Sequence, residues 1–175
     1  ITRLRNGNLD LAIMALPSEA TGMVDSPLYT EKFSIVCPPD HPIAGREDVE
    51  LAELKDLDLL LLDDGHCLRD QVVDLCRHAD INPAEATNSV TRASSLTTIM
   101  QLVMGGLGCT LVPESALATE CHGKDVAIAH FASDVTAERE VGLVFRSSAA
   151  RAEEFREFGT LITSAYNKAI ERSRQ

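Results

Sequence analysis

Short, mainly apolar runs separated by turn residues are the feature of this sequence that most restricts its fold. They occupy residues 9–16, 33–37, 59–62, 109–112 and 141–145. Each has the length of a β-strand, and none approaches the roughly 20 apolar residues that a membrane-spanning helix needs. Strands that are apolar on both sides are typical of a parallel sheet that helices cover on both faces.

Segments with helical periodicity lie between these runs. Ser94 and Ser95 can cap one helix, whose apolar stripe is Leu96, Ile99, Met100 and Val103. Residues 67–76 have one apolar face and predict a second helix. In the last segment the expected buried face consists of Phe155, Phe158, Ile162, Ala165 and Ala169. The alternation of strands and helices predicts βαβ units, and therefore an α/β domain with a parallel sheet.

Composition and charge narrow the classes of function. The 175 residues are 45% hydrophobic and 25% charged, as in globular domains. A net charge of −11 repels phosphate backbones, so we expect no nucleic-acid binding by this chain itself. The five cysteines, an odd number without a secretory signal, argue against a structural disulfide framework and favour a reducing cytoplasm. We expect a fragment of a longer protein, with no membrane segment and no cofactor.

Cys67 has the strongest chemical signature among the cysteines. It lies at the predicted start of a helix, where free N–H groups and the positive end of the helix dipole stabilise an anion. His66 and Arg69 add positive charge, whereas nearby aspartates, Asp70 among them, oppose it. Because the thiolate is the nucleophile, Cys67 is a candidate reactive cysteine. Cys76 falls on the apolar face of the helix and, taken alone, is more typical of a core residue.

The other cysteines carry weaker signals. Cys37 and Cys109 lie in apolar runs and are expected in the core, whereas Cys121 lies in a polar segment and is expected at the surface. A zinc site built from Cys67, Cys76 and neighbouring histidines is disfavoured, because the Cys-x₂₋₄-Cys spacing is missing and the two cysteines diverge on a helix. No metal is therefore expected.

Several blocks of the sequence, in order, resemble the effector-binding domain of LysR-type transcriptional regulators. They are residues 4–13 (LRNGNLDLAI), 27–42 and 103–113 (VMGGLGCTLVP). The resemblance implies a periplasmic-binding-protein-like regulatory domain with two Rossmann-like lobes, the first of them incomplete in this chain. Regulatory subdomain I would comprise residues 1–32 and 141–175. Subdomain II would comprise residues 33–140, with a redox segment at 63–76.

Two further blocks resemble the hydrogen-peroxide sensors of that family. Residues 64–71 (DGHCLRDQ), with Cys76 nine positions after Cys67, are similar to their redox segment, and residues 92–96 (RASSL) to a later stretch. By this resemblance Cys67 is the peroxidatic cysteine and Cys76 the resolving one. His66 and Arg139 would line the peroxide pocket. The supporting residues would be Arg69, Asp70, Ser94 and Ser95.

The spacing of this cysteine pair has a structural consequence. If residues 67–76 form one helix, nine residues of rise separate the two Cα atoms by roughly 13–14 Å, on opposite faces. A disulfide needs Cα atoms within about 7 Å of each other. Oxidation to the disulfide must therefore unwind or bend the helix, which predicts a switch between two conformations.

The resemblance also implies partners. The domain would be a sensor and not an enzyme, with hydrogen peroxide as its signal, in a cytoplasmic transcription factor that regulates oxidative-stress genes. DNA would be bound only through an N-terminal winged helix-turn-helix that is absent from this chain. Homodimers and tetramers would form, and glutaredoxin or thioredoxin would reset the switch.

Three alternatives remain open. The first is a LysR-type effector domain that binds a small metabolite in the cleft between its lobes, for which Cys67 would be incidental. The second is the solute-binding protein of a transporter, against which the five cysteines count. The third is a thiol peroxidase, which would turn over repeatedly with a reductant, whereas a sensor reacts once for each signal.

Overall fold

The computed structural model describes residues 1–64, 67–81 and 92–173. Its contacts divide the chain into unit 1, Ile1–Glu31 with Glu138–Gln175, and unit 2, Lys32–Ala137. Within the described residues, no helix is both long enough and apolar enough to cross a membrane.

The chain contains seven β-strands, five α-helices and one 3-10 helix within the described residues. They are, in chain order, α1 (Thr2–Arg5), β1 (Leu11–Ala15), β2 (Met23–Cys37), a 3-10 helix (Leu51–Asp56), β3 (Leu61–Leu62), α2 (Cys67–His78), β4 (Arg92–Ala93), α3 (Leu96–Met104), β5 (Thr110–Pro113), α4 (Glu114–Glu120), β6 (Ala127–His130), β7 (Glu138–Arg146) and α5 (Ala152–Ser173). The strand predicted at residues 33–37 is the second part of the much longer β2, which belongs to both units.

In unit 1, α5 packs on strand β7. The core consists of Leu143 and Phe145 from β7 and Phe155 from α5. The rings of Phe145 and Phe155 meet edge to face, with 5.4 Å between their centroids. Strand β1 runs antiparallel to β7, with Leu11 opposite Phe145 and Ala15 opposite Val141.

The face that α5 buries agrees with the predicted one at Phe155 and Ile162 and differs from it at three positions. Phe158, Ala165 and Ala169 are exposed, whereas Phe155, Gly159 and Ile170 are buried. The reason is a close approach at Gly159, where a Cβ atom would lie 2.7 Å from the Leu28 side chain. Because the helix meets the sheet at this glycine, the large Phe158 side chain turns outward.

In unit 2, helices cover both faces of the sheet. The second part of β2 lies between β5 and β6 and is antiparallel to both. One face carries Phe33, Ile35 and Leu111 and contributes to the same core cluster as residues of α2. The opposite face carries Val36 and Val112 and packs with residues of α3. The expected burial of these strands on both sides is therefore confirmed.

The expectation of a parallel sheet was wrong for most of the structure. In the five-stranded sheet the β1–β7, β2–β5 and β2–β6 pairs are all antiparallel. Parallel pairing occurs between β3 and β4, on either side of α2, and at two isolated bridges, Leu59 with Cys109 and Val49 with Phe131. An apolar run indicates that both faces of a strand are buried, and this says nothing about the direction of its neighbours.

The start of α3 agrees with the sequence. Ser95 is the N-cap residue, and its hydroxyl accepts a hydrogen bond of 3.2 Å from the Thr98 amide. The apolar stripe is buried at Ile99, Met100 and Val103. Ser94 directly precedes the cap and is exposed.

Gly108 lies at the tightest backbone contact that leads into β5. Its φ is +148°, and an added Cβ would lie 2.2 Å from the Asp58 carbonyl oxygen, which accepts a hydrogen bond from the Cys109 amide. We expect Gly108→Ala to lower the free energy of unfolding by about 2 kcal/mol or more. Gly105→Ala, at an ordinary φ, is the matched control and should cost less than about 1 kcal/mol. Equal losses in urea denaturation would contradict this reading.

Candidate redox site

Cys67 and Cys76 occupy opposite environments on one helix. Cys67 is the first residue of α2 and is exposed, whereas Cys76 lies in the last turn and is only 2% exposed. Both are free thiols. The helix is continuous between them, so nine residues of rise separate their Cα atoms by roughly 13.5 Å. That distance is about twice what a disulfide can span.

The surroundings of Cys76 fix it in the core of unit 2. Its side chain lies in the same cluster as Val72, Leu75 and Ile81. Burial raises the pKa of the Cys76 thiol, so the folded helix keeps it protonated. The Cys76 carbonyl also accepts hydrogen bonds from the amides of Ala79 at 3.1 Å and Ile81 at 2.9 Å. Cys76 therefore cannot move without opening the C-terminal end of α2.

Asp80 forms the C-terminal cap of this helix. Its φ of +55° is in the left-handed region, and the amide of the following residue closes the bond to the Cys76 carbonyl. This pattern ends a helix efficiently, but it favours glycine at the left-handed position. The cap thus holds Cys76 in place with a residue that is not optimal for the backbone it adopts.

Arg69 is directed toward carboxylates. Its Nη2 lies 2.9 Å from Asp64 Oδ1, and its Nη1 lies 3.7 Å from Asp70 Oδ1. Its Nε is buried, without a hydrogen-bond partner in the described part of the chain, beside a small cavity lined by Leu62, Val72 and other apolar side chains. We expected the positive charge of Arg69 to stabilise the Cys67 thiolate, but Asp64 and Asp70 largely balance that charge.

Two histidines lie in this segment of the sequence, His66 and His78. His66 lies outside the described residues. Among the residues that the structure does describe, no group of three or more potential metal ligands comes together, and His78 Nδ1 lies 2.7 Å from the Asp74 carbonyl oxygen within its own helix.

Arg139 belongs to unit 1, on strand β7, and forms a buried ion pair there. Its Nε donates to Glu31 Oε1 at 2.7 Å, and its Nη2 contacts the same oxygen at 2.5 Å. The Glu31 carboxylate is 1% exposed and the Arg139 side chain 23%. Burial, followed by the charge of Glu31, raises the pKa of the nearby Tyr29. The guanidinium is thus held in a fixed orientation.

Glu31 is the residue of this region that sequence reasoning missed. It lies on the same face of β2 as Phe33, Ile35 and Cys37, which follow it at every second position and are all buried. An acidic residue in phase with core positions needs a cationic partner, because an unpaired charge is costly to bury. The two-residue spacing of Glu31 from the apolar residues of β2 was the signal in the sequence that could have indicated its burial.

The remaining cysteines are mostly core residues. Cys37 and Cys109 are 0% exposed, which confirms the expectation for both. Cys121 follows α4 and is half-buried against apolar neighbours, so the expectation of an exposed thiol was wrong. Its position at a helix end, beside the apolar side chains of α4, explains the burial.

Comparisons with known proteins show the family to which the chain belongs. The model of the LysR substrate binding domain matches residues 1–166. A Mycobacterium avium protein named as a probable hydrogen peroxide-inducible genes activator is 48% identical over 159 residues, which are 91% of this chain and 50% of that protein. A hydrogen-peroxide-bound mutant of Corynebacterium glutamicum OxyR is 59% identical, with a TM-score of 0.93 over 97% of this chain and 53% of that chain. The oxidized form of Corynebacterium glutamicum OxyR is 58% identical, with a TM-score of 0.84 over 99% of this chain and 53% of that one.

This chain belongs to the LysR substrate-binding-domain family. It spans about half the length of the relatives that it matches. The similarity to solved OxyR structures confirms the expected class, an α/β regulatory domain of the periplasmic-binding-protein-like type.

The Arg139–Glu31 pair can be tested through stability. Glu31→Gln keeps the shape of the side chain but removes the charge that balances Arg139, so we expect the free energy of unfolding to fall by about 2–3 kcal/mol. Glu47→Gln is the control, because Glu47 is 80% exposed and 4.0 Å from His130. It should change stability by less than about 0.5 kcal/mol. Similar losses for both variants in urea denaturation would show that the buried pair contributes no more than a surface contact.

Proposed function

We propose that the chain is the peroxide-sensing regulatory domain of a LysR-type DNA-binding transcription factor that controls oxidative-stress genes. The observation that carries the proposal is the placement of an exposed and a buried cysteine on one helix, too far apart to bond. Relatives named for hydrogen-peroxide induction and a hydrogen-peroxide-bound OxyR structure support peroxide as the signal. Units 1 and 2 would correspond to an incomplete subdomain I and to subdomain II.

The chemistry begins at the accessible thiol. The Cys67 thiolate attacks one oxygen of hydrogen peroxide, the O–O bond breaks, and the leaving hydroxide takes a proton to become water. Cys67 is then a sulfenic acid. The Cys76 sulfur attacks the Cys67 sulfur, the S–O bond breaks, and a second water leaves. Overall, two thiols lose two electrons and two protons, and hydrogen peroxide becomes two molecules of water.

The second step is coupled to unwinding of α2. In the folded helix Cys76 is both out of reach and protonated, because burial raises its pKa. Opening the last turns brings Cys76 toward Cys67 and into water, where its thiolate is more readily formed. The same motion withdraws Val72 and Leu75 from the core of unit 2, so the disulfide form must have a different surface there.

The pocket and supporting roles are also proposals. Arg139 and His66 are pocket residues by the resemblance, and the Arg139 guanidinium, which Glu31 holds in place, carries N–H donors of the kind that bind a peroxide oxygen. Arg69 and Asp70 would fix the start of α2, and Ser94 and Ser95 the start of α3.

The whole protein would act as a cytoplasmic regulator and not as an enzyme. Its DNA contacts would lie in an N-terminal winged helix-turn-helix, and its homodimers or tetramers would transmit the altered surface of unit 2. Glutaredoxin or thioredoxin would reduce the disulfide and restore α2.

Peroxide titration tests the redox role. About one equivalent of hydrogen peroxide should remove two hydrogens from the chain, mapped by mass spectrometry to a Cys67–Cys76 disulfide, and should reduce the helical circular dichroism signal until a dithiol is added. Cys67→Ser should abolish both changes, and Cys121→Ser should alter neither.

The same peroxide experiment separates the sensor from a metabolite-binding domain and from a thiol peroxidase. If Cys67 stays reduced while peroxide survives, the redox role is excluded and a metabolite-binding domain becomes the better hypothesis. Sustained peroxide consumption with thioredoxin would instead indicate a peroxidase.

The helix cap tests the coupling to unwinding. Asp80→Gly relieves the left-handed backbone strain and should stabilise the capped helix by about 0.5–1 kcal/mol. Disulfide formation should then slow about 2–5-fold, while the first step, trapped as sulfenic acid with dimedone, should keep its rate. Glu19→Gly, which relieves a φ of +51° in unit 1, is the matched control and should leave both rates unchanged. An unchanged disulfide rate in Asp80→Gly would show that unwinding is not limiting.

A further inference from the structure

A second pair of cysteines faces across two strands of unit 2. In the antiparallel β2–β5 pair, Phe33 lies opposite Pro113 and Val36 opposite Thr110. One step further along the same register, Cys37 at the end of β2 lies opposite Cys109 directly before β5.

The two side chains are on the same face of the sheet. Cys37 belongs to the core cluster of Phe33 and Ile35, and Cys109 to the same cluster through Leu111, two residues along its own strand. The intervening Val36 and Val112 belong to the cluster on the opposite face. The two sulfur atoms are therefore directed into the same part of the core.

The backbone hydrogen bonds bring this pair closer than an average cross-strand pair. The Cys109 amide donates to the Asp58 carbonyl at 2.8 Å, and the Cys109 carbonyl accepts from the Leu60 amide at 2.8 Å. Both groups of Cys109 thus bond away from β2, so Cys37 and Cys109 form a non-hydrogen-bonded pair. In such pairs the Cα atoms are about 4.5 Å apart, within the range that a disulfide spans.

We propose that Cys37 and Cys109 are a second dithiol pair, which excess hydrogen peroxide converts to a disulfide that links β2 to β5. One thiolate attacks the peroxide, which releases water and leaves a sulfenic acid. The partner sulfur then displaces a second water and forms the S–S bond. Two thiols lose two electrons and two protons, and no helix needs to unwind for the bond to close.

Because Cys37 and Cys109 are buried, we expect hydrogen peroxide to oxidise them more slowly than Cys67. Both thiols are 0% exposed, and burial together with the neighbouring Cys37 and Asp58 raises the pKa of Cys109 to about 12. Little thiolate is available until the strand ends open. The pair therefore responds to prolonged or concentrated oxidant, and its disulfide closes a large loop that stabilises unit 2 in the oxidised cell.

The test uses the chain with Cys67→Ser, which removes the fast thiol and makes the result independent of the proposed sensing reaction. Excess hydrogen peroxide is applied until Cys121, which is half-buried, is fully oxidised, so that the oxidant is known to have acted. Peptide mapping should then show a Cys37–Cys109 disulfide. The midpoint of thermal unfolding should rise by roughly 5–10 °C and return after reduction.

Two further variants give the controls. Adding Cys109→Ala should abolish the cross-linked peptide and the rise in melting temperature, whereas adding Cys121→Ser should preserve both. The proposal is overturned if Cys37 and Cys109 remain free once Cys121 is oxidised. It is equally overturned if either thiol instead bonds to Cys76.

Discussion

Burial of one face of α2 is the constraint on which the rest of the candidate site depends. Val72, Leu75 and Cys76 hold the helix against the core of unit 2, and this contact keeps Cys76 beyond the reach of Cys67. Each such apolar side chain contributes about 1.5–3 kcal/mol when fully buried. Together they oppose any motion that brings the cysteines together, so the dithiol form has a single well-defined helix.

Formation of a Cys67–Cys76 disulfide would therefore oppose the packing of α2 against the core of unit 2. The separation of the two thiols excludes direct bond formation, and the C-terminal cap around Asp80 adds hydrogen bonds that must open first. The proposed disulfide, formed against these contacts, would keep apolar side chains out of the core until it is reduced. Reduction of that disulfide would then let the helix re-form, because the packing of its apolar face favours the helical state.

Much of this arrangement could be predicted from the sequence, because local signals carry it. The start of α2 at Cys67, the cap at Ser95 and the core positions of Cys37 and Cys109 all follow from periodicity and turn residues. Strand direction could not be predicted, because apolar runs look alike in both kinds of sheet. The buried face of α5 was predicted only in part, because it depends on Gly159, which contacts residues distant in sequence. The period of two along β2 could have indicated that Glu31 is buried, but not that Arg139 is its partner, because the two residues are distant in sequence.

The spacing of the two cysteines also determines which thiol is exposed to solvent. Nine steps of about 100° bring the second side chain to the opposite side of the helix. A spacing of seven or eleven would return it to about the same side, so both thiols would be exposed or both buried. With nine, one face of α2 presents Cys67 to solvent while the other protects Cys76 among apolar side chains. The helical phase alone thus separates the thiol that we propose to react first from the one that would have to wait for the helix to open.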